Sequence, residues 1–460
     1  MSASSRFVPA FTALAIALGA APAFAQKAAP APAPDYEKEL GALVGISGGL
    51  TADQAAERAA KVSPDVRRKI AELGSARALV DQAKVLRIPR LDGTLRYTRL
   101  SPVTLMPPLD TIIKIIPNQW NADAQLSVPI SDYFVRIPYV VDVADASVVM
   151  VHLGEQTAAL NAALEARVAY YEWARARLQV VVAERLVAQV GATVEQLSAL
   201  VSVQRASRAD LLRLQAQKAQ ADLALVQTKD ALAIREEQLR ILIGAEPEEQ
   251  LAIGEDVRGD VPIPALGKPD DLAREALGRR LETKIIAANE DLLTRTAQSQ
   301  KADRYPRLSA FAQANYDKPN QRAFGSSDLE LTWAVGAQIT WSPNDMLLAD
   351  TKIDDTEAKI RALGADRQRL ADGIRAEVTS YVQQVDIARQ ALINTQQALA
   401  AAEESYRVRR ELLDAERVTA VELVDAETEL TRARIAAIDA RIDLRIALAR
   451  LAHALGQDVQ

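Results

Sequence analysis

Two stretches of this chain, 217 positions apart, share one pattern of residues. Residues 84–91 and 301–308 both read K-x-x-R-x-P-R-L, and each joins a long helical pattern to an alternating segment. The residue before a proline disfavours the helical conformation, so each stretch predicts a helix that ends where a strand begins. The chain therefore carries two copies of one helix-to-strand unit, and its fold has to accommodate both.

The correspondence between the two copies continues along the chain. Residues 124–127 match residues 337–340 at an offset of 213, and residues 205–244 match residues 417–456 at an offset of 212. The small changes in offset are expected in loops, where insertions are tolerated. Each copy predicts a helical segment, two strands and a pair of helices. The predicted division is repeat 1 at 51–244, a Pro- and Gly-rich inter-repeat (equatorial) linker at 245–268 and repeat 2 at 269–460.

The first 25 residues have the pattern of a secretory signal peptide. Arg6 precedes an apolar run at 7–18, and Ala23-Phe24-Ala25 is an A-x-A cleavage pattern. An uncleaved anchor helix is the alternative, but the run is shorter than the ~20 residues that span a bilayer. Residues 26–50, Ala-Pro-rich at their start, are predicted to form a flexible leader.

The composition favours long helices and disfavours several classes of function. Aromatic residues make up 4% of the chain and hydrophobic residues 49%, so Ala, Leu and Val dominate the apolar content, as in closely packed helices. A net charge of −6, without basic runs interleaved with aromatics, argues against a nucleic-acid partner. With no cysteine, the chain has no disulfides, no thiolate metal site and no lipid-modified N-terminal cysteine.

Four segments alternate between apolar and polar residues, as strands do when one face is apolar and the other wet. Such strands suit a barrel wall between lipid and water, and their length is sufficient to cross a bilayer when tilted. Four strands cannot close a barrel with an aqueous lumen, and lipid does not tolerate open sheet edges. Three chains, with twelve strands, are the smallest solution. The segments are approximately 91–100, 119–129, 308–317 and 331–341.

Residues 51–460 resemble the TolC family of outer-membrane efflux proteins. The resemblance lies in the duplicated unit, the strands that end at proline, and the elements Asp210-Leu211-Leu212 and Glu422-Leu423-Val424-Asp425-Ala426. It implies a mainly α fold with a transmembrane β-barrel part: a trimeric, twelve-stranded barrel with four strands per chain, continuing into a long periplasmic α-helical barrel.

The resemblance also implies localisation and partners. The expected location is the outer membrane, with extension into the periplasm. The expected partners are two further copies in a homotrimer, outer-membrane lipid, a periplasmic adaptor (membrane fusion protein) and an inner-membrane pump. The implied function is a channel of a tripartite efflux or type I secretion system. The alternative is a periplasmic coiled-coil adaptor or scaffold without a membrane barrel, which would not need the alternating strand pairs.

By resemblance, the turns near 205–210 and 417–422 lie at the periplasmic tip of the helices. Glu422 and Asp425 match two acidic positions, one helical turn apart, that line the constricted entrance in the family. Three copies would form carboxylate rings that attract cations; a solvated charged helix face is the alternative. Asp210 is the first-repeat counterpart of Glu422. Two departures from the family pattern are Arg213, at the counterpart of Asp425, and Glu416, where many members have glycine.

Further candidates at the tip are basic. Arg205, Arg208, Arg213 and Arg417 could dock an adaptor hairpin or form salt bridges in a closed tip, and solubilising charge is the alternative.

On the predicted strands, Trp333 and Trp341 are candidates for an aromatic belt at the membrane interface, with ordinary core packing as the alternative. Asn121 and Asp123 are expected to face the lumen.

No residue pattern supports an enzyme, a cofactor site or a metal site. The sequence contains no H-E-x-x-H, G-x-S-x-G or phosphate-binding loop pattern. His152 and His453 are the only histidines, and both are expected to be packing or surface residues on helices. Glu155 follows His152 by three residues, which is too few ligands for a metal, and the sequence suggests no partner for His453.

Overall fold

The computed structural model describes residues 36–101, 116–320, 328–415 and 417–459. The predicted signal peptide, the first part of the predicted leader (26–35) and Glu416 lie outside the described residues.

Long helices dominate the chain, and the strands come in two pairs. The helices are α1 (Tyr36–Leu43), α2 (Ala52–Val62), α3 (Pro64–Val85), α4 (Asp132–Val135), α5 (Ile137–Ser202), α6 (Arg208–Ile243), α7 (Pro269–Arg279), α8 (Leu281–Ala302), α9 (Pro343–Asp414) and α10 (Ala420–Ala454), followed by a 3₁₀ turn at Gln457–Val459. The strands are β1 (Arg90–Arg99), β2 (Asn118–Val128), β3 (Arg307–Lys318) and β4 (Glu330–Thr340).

The four strands form one antiparallel sheet in chain order, so β1 and β4 are its edges. Each repeat supplies one hairpin. The strands within the two hairpins pair in the same register, residue for equivalent residue. Arg90 pairs with Ser127, and Arg307 pairs with Thr340. Those partners are related by the offsets of 217 and 213 found in the sequence. The repeat is therefore also a repeat in hydrogen-bonded structure.

One face of this sheet is apolar across all four strands, because directly paired residues point to the same side. The apolar face carries Leu91, Leu95 and Tyr97; Trp120, Ala122, Ala124 and Leu126; Leu308, Ala310, Ala312 and Ala314; and Trp333, Val335, Ala337 and Ile339. Asn121 and Asp123 lie on the opposite, polar face, where the Asn121 side-chain amide donates to Asp317 at 3.2 Å. Phe311 is an exception on that face, and its ring lies against Gly336, where a Cβ atom would be 2.8 Å away.

The helical part is built on α5 and α9, with 66 and 72 residues. At ~1.5 Å per residue these are rods of roughly 100 and 110 Å. α5 begins at Ile137, because Pro138 fits a first helical turn. None of the described helices combines the length and the apolar run that crossing a membrane requires.

In each repeat, the helical segment that precedes the strands is interrupted at one residue. In repeat 1 the break is at Ser63, before Pro64. In repeat 2 it is at Arg280, whose backbone is extended at ψ 137°. No proline marks the second break in the sequence. Its stabilisation comes from the buried Arg280 guanidinium, which pairs with Glu282 at 2.7 Å and with Glu377.

The main hydrophobic core lies where the linker wraps the helices. Trp173 and Tyr170 of α5 are fully buried there, and Ile253 and Val257 of the linker pack beside them. The core fixes the linker, and Arg445 of α10 donates to its backbone at the Asp256 and Gly259 carbonyls.

The C-terminal part of the predicted flexible leader is also ordered. Residues 36–43 form α1, Leu40 and Val44 are buried in the main core, and Leu50 forms a parallel bridge with Ile253. Residues 36–50 are therefore packed on the main core through apolar side chains, while a flexible leader over 26–50 stays a prediction.

Candidate functional site: the two helical turns

The α5–α6 and α9–α10 turns are built in the same way. The backbone N–H of Arg205 donates to the Leu200 carbonyl at 2.9 Å, and that of Arg417 donates to the Leu412 carbonyl at 2.8 Å. Both bonds satisfy carbonyls left without a partner at a helix C-terminus. The side chains of Arg205, Arg208 and Arg417 are exposed around these turns. The two turns therefore occupy equivalent positions in the two repeats, 212 residues apart.

The N-termini of α6 and α10 are capped by hydroxyl groups. Ser207 accepts from the Ala209 N–H at 3.2 Å. Thr419 accepts from the Glu422 N–H at 3.3 Å, and the Glu422 carboxylate accepts from the Thr419 N–H at 2.9 Å. This is a reciprocal capping box, and its T-x-x-E signature was present in the sequence but was missed.

The capping box gives Glu422 a structural role beside the one expected from the family. Its carboxylate lies at the positive end of the α10 dipole, as does Asp210 in the first turn of α6. Arg409 of α9 also donates to the Glu422 carbonyl, at 3.4 Å.

Asp425 faces the other repeat. Its carboxylate accepts from the Gln217 side chain at 3.2 Å and lies 3.5 Å from the Arg213 guanidinium. The structure therefore brings into contact the two positions, Arg213 and Asp425, that correspond between the repeats and differ in charge. Both side chains are about half exposed, so this ion pair is worth roughly 0–1 kcal/mol.

A second carboxylate of α10, Glu427, was not singled out in the sequence. It is 3% exposed, and the Tyr406 hydroxyl of α9 donates to its Oε1 at 3.2 Å. Its Oε2 has no hydrogen-bond partner among the described residues. Burial raises the Glu427 pKa to about 7, against the opposing effects of the Tyr406 hydrogen bond and the Arg410 charge.

Helical spacing was the signal that could have identified Glu427. Leu423 and Leu430, one turn before and one after, are both buried, so Glu427 falls on the packed face of α10.

Aromatic side chains lie toward both ends of the sheet: Trp333 is on its apolar face, and Trp341 directly follows β4. Trp333 and Trp341 are 71% and 58% exposed in the single chain, and they are eight residues apart. At ~3.3 Å per residue this spacing is about 26 Å, close to the apolar height of an outer-membrane barrel. Tyr97 and Trp120, which were not singled out in the sequence, form a tilted ring pair with centroids 4.7 Å apart near the Trp333 end.

The two histidines differ in environment. His152 is half exposed and lies 3.0 Å from Glu155, as its spacing suggested. His453 is mostly buried, and its Nδ1 lies 3.5 Å from Asp458 of the 3₁₀ turn. The sequence suggested no partner for His453, because the chain turns back after α10. No cluster of three or more metal-ligating side chains occurs within the described ranges.

Comparison with known proteins identifies the family. The model of the outer membrane efflux protein family matches residues 55–245 and 272–457, most of the chain and both repeats. The chain belongs to this family. The resemblance to TolC-like channels seen in the sequence is thereby confirmed. Among the curated proteins, none matches the chain by sequence.

Several solved outer-membrane channels share the fold. The outer membrane protein VceC from Vibrio cholerae is 17% identical, with a TM-score of 0.68, covering 88% of this chain and 96% of VceC. CmeC from Campylobacter jejuni is 13% identical, with a TM-score of 0.72 and coverages of 88% and 85%. The open state of MtrE from Neisseria gonorrhoeae is 15% identical, with a TM-score of 0.71 and coverages of 88% and 88%.

Family membership establishes the general function of the chain. It is a member of an outer-membrane efflux channel family, and such channels are transport proteins rather than enzymes. The adaptor alternative drawn from the sequence is therefore set aside.

Proposed function

We propose that three copies of this chain form one outer-membrane conduit, which receives substrates from an inner-membrane pump through a periplasmic adaptor and releases them outside. One observation carries the proposal: a four-stranded sheet with a continuous apolar face and two open edges, joined to helices far longer than a bilayer is thick.

The sheet requires further strands in order to function in a membrane. Strands of 10 to 12 residues span roughly 33–40 Å, enough to cross the bilayer at a tilt. Unpaired edge groups cost several kcal/mol each in lipid, so the sheet has to close through other copies. Twelve strands leave an aqueous lumen, which four strands cannot enclose.

The polar face then lines the lumen, and the tip turns control the periplasmic end. We assign Glu422, Asp425 and Asp210 to carboxylate rings near the entrance that favour cations. The contact with Arg213 weakens the contribution of Asp425. The exposed Arg205, Arg208 and Arg417 are the proposed docking positions for an adaptor.

Conductance measurements test this function. Protein extracted from membranes with detergent is expected to form cation-selective channels in planar bilayers. Glu422→Gln combined with Asp425→Asn should lower cation selectivity, because Gln maintains the capping box while the charge is lost. A Glu57→Gln variant, exposed and on α2, is the matched control. Recovery in the soluble periplasmic fraction without detergent, or a lack of channels, would contradict the proposal.

A further inference from the structure

Within the four strands, the apolar face of the sheet carries charge at one end only, where β1 is joined to β2 and β3 to β4. At this loop end, Arg99 is the last residue of β1 and Lys318 the last residue of β3. Arg99 lies opposite Asn118 and Lys318 lies opposite Trp120, so these side chains project from the apolar face. Among the strand residues that share this face, Arg99 and Lys318 are the only charged ones, and both are basic.

The polar face of the sheet has a different distribution of charge. It carries acidic and basic residues along its length: Arg90, Asp92, Arg96, Asp123, Arg307, Asp317 and Glu330. The lipid side of a barrel normally avoids charge, because an unpaired ion in hydrocarbon is costly, and tolerates it near the membrane interface. Basic residues restricted to one end of the apolar face therefore indicate a particular environment there, and not the general composition of the sheet.

Aromatic side chains mark that environment as the membrane interface. The ring pair of Tyr97 and Trp120 lies on the same face, next to Arg99 and Lys318. The Asn118 side-chain oxygen accepts from the Tyr97 hydroxyl at 3.0 Å and from the Arg99 guanidinium at 3.2 Å. Tyrosine and tryptophan favour the level of the lipid headgroups, so the two basic residues beside them lie at that level.

Both cations lack an anionic partner within the described part of the protein. Arg99 makes one hydrogen bond, to the neutral Asn118 side chain, and neither Arg99 nor Lys318 forms an ion pair with a described carboxylate. A guanidinium has five N–H donors and an ammonium three, so the described residues leave most of this hydrogen-bonding capacity unused. At the headgroup level the missing anion can come from lipid, and phosphate is a headgroup anion that arginine binds in bidentate geometry.

The long helices decide which leaflet the loop end reaches. β1 follows α3 and β4 precedes α9, so these helices leave the sheet at the end opposite Arg99 and Lys318. In the proposed channel the helices occupy the periplasm, which puts the loop end in the outer leaflet of the membrane. The main anionic lipid of that leaflet is lipopolysaccharide, a glycolipid that carries phosphate groups on its sugars.

We propose that Arg99 and Lys318 of each chain bind the phosphate groups of a lipopolysaccharide molecule in the outer leaflet. This site rests on the proposed function for its orientation and adds a lipid ligand to it. The two residues flank β2, two strand spacings and two residues apart, which is roughly 12 Å between their Cα atoms. Side chains of this length reach one headgroup together, while Trp120 between them packs against its apolar part.

Lipid binding to the full-length protein in detergent tests the site. The protein is titrated with bisphosphorylated lipid A, the glycolipid part of lipopolysaccharide, and native mass spectrometry counts the bound molecules. Arg99→Gln combined with Lys318→Gln should weaken this binding by at least about tenfold, because both positive charges are lost. Each single variant, which disturbs the sheet less, should weaken it by about threefold. Lipid A without phosphate should bind the natural protein as weakly as lipid A binds the double variant.

Two controls separate the site from general electrostatic attraction. Arg90→Gln combined with Arg96→Gln removes the same charge from the polar face of β1, and this variant should bind lipid A as the natural protein does. Phosphatidylglycerol should bind the natural protein at least about tenfold more weakly than lipid A, because it presents one phosphate to two cations.

The outcomes distinguish the lipid site from the channel. Loss of lipid A binding in the double variant but not in the polar-face control supports the site. Equal binding of lipid A by the natural protein and the double variant, or equal binding of lipid A with and without phosphate, overturns it. Equal binding of phosphatidylglycerol overturns the assignment to lipopolysaccharide. In each case, conductance through the natural protein leaves the channel proposal standing, whereas a natural protein that forms no channels overturns the proposed function and the orientation of the site.

Discussion

Replacing Glu427 with glutamine is expected to remove a pH-dependent loss of folding stability that arises where α10 packs against α9. The Glu427 carboxyl is 3% exposed and has a raised pKa of about 7, against an ordinary 4.5. Each pKa unit corresponds to about 1.36 kcal/mol, so ionisation in the folded protein costs about 3 kcal/mol per chain relative to the unfolded chain.

The sign of the effect follows from the two pKa values. Below about pH 4.5 the carboxyl is neutral in both states, and its penalty is absent. As pH rises toward 7, the unfolded chain ionises first, and stability falls. Above the folded-state pKa the full penalty is present. The amide introduced by Glu427→Gln carries no charge at any pH, so the variant should gain stability over the natural protein as pH rises from 4.5 to 8.

Thermal unfolding in detergent, measured across that pH range, provides the assay. The unfolding temperatures of the natural protein and Glu427→Gln should be similar at pH 4.5 and diverge by several degrees at pH 8. Glu429→Gln, two residues along the same helix and exposed, is the control and should parallel the natural protein. Parallel curves for the natural protein and Glu427→Gln would refute the reasoning.

Three further substitutions test other parts of the structure. Glu422→Ala should lower the free energy of unfolding by about 1 kcal/mol more than Glu422→Gln, because only Ala breaks the capping box; equal unfolding temperatures of the two variants would contradict this role. Arg213→Ala should increase cation selectivity in bilayer conductance by freeing Asp425, and unchanged selectivity would argue against a position at the entrance. Arg136, 8% exposed, donates to Asp132 at 2.7 Å and Asp303 at 3.2 Å. Arg136→Met should destabilise the protein by about 2 kcal/mol or more in chemical unfolding, whereas an unchanged midpoint would show that this link between the repeats contributes little.

The fold was predictable because its signals are repeated and periodic. The offsets of 217 and 213 connect Arg90 with Arg307 and Ser127 with Thr340, and the same offsets describe the hairpin registers. Alternation placed Trp333 on the apolar face of β4. The break at Arg280 had no such signal, because it depends on a buried ion pair with Glu377, distant in sequence.

The candidate site was less predictable, because charge alone does not specify a contact. Glu422 could be found from sequence, but its capping partner Thr419 was overlooked. The contact between Arg213 and Asp425 depends on how α6 and α10 are placed, which no local pattern shows. The burial of Glu427 was indicated by helical spacing, while its hydrogen bond from Tyr406 required the packed helices.

The number of chains in the detergent-extracted protein tests the central claim most directly. Native mass spectrometry of the natural protein purified from outer membranes should give a complex of three chains, which is the number that provides twelve strands around one lumen. A single chain, or a complex of any other number of chains, would contradict the account.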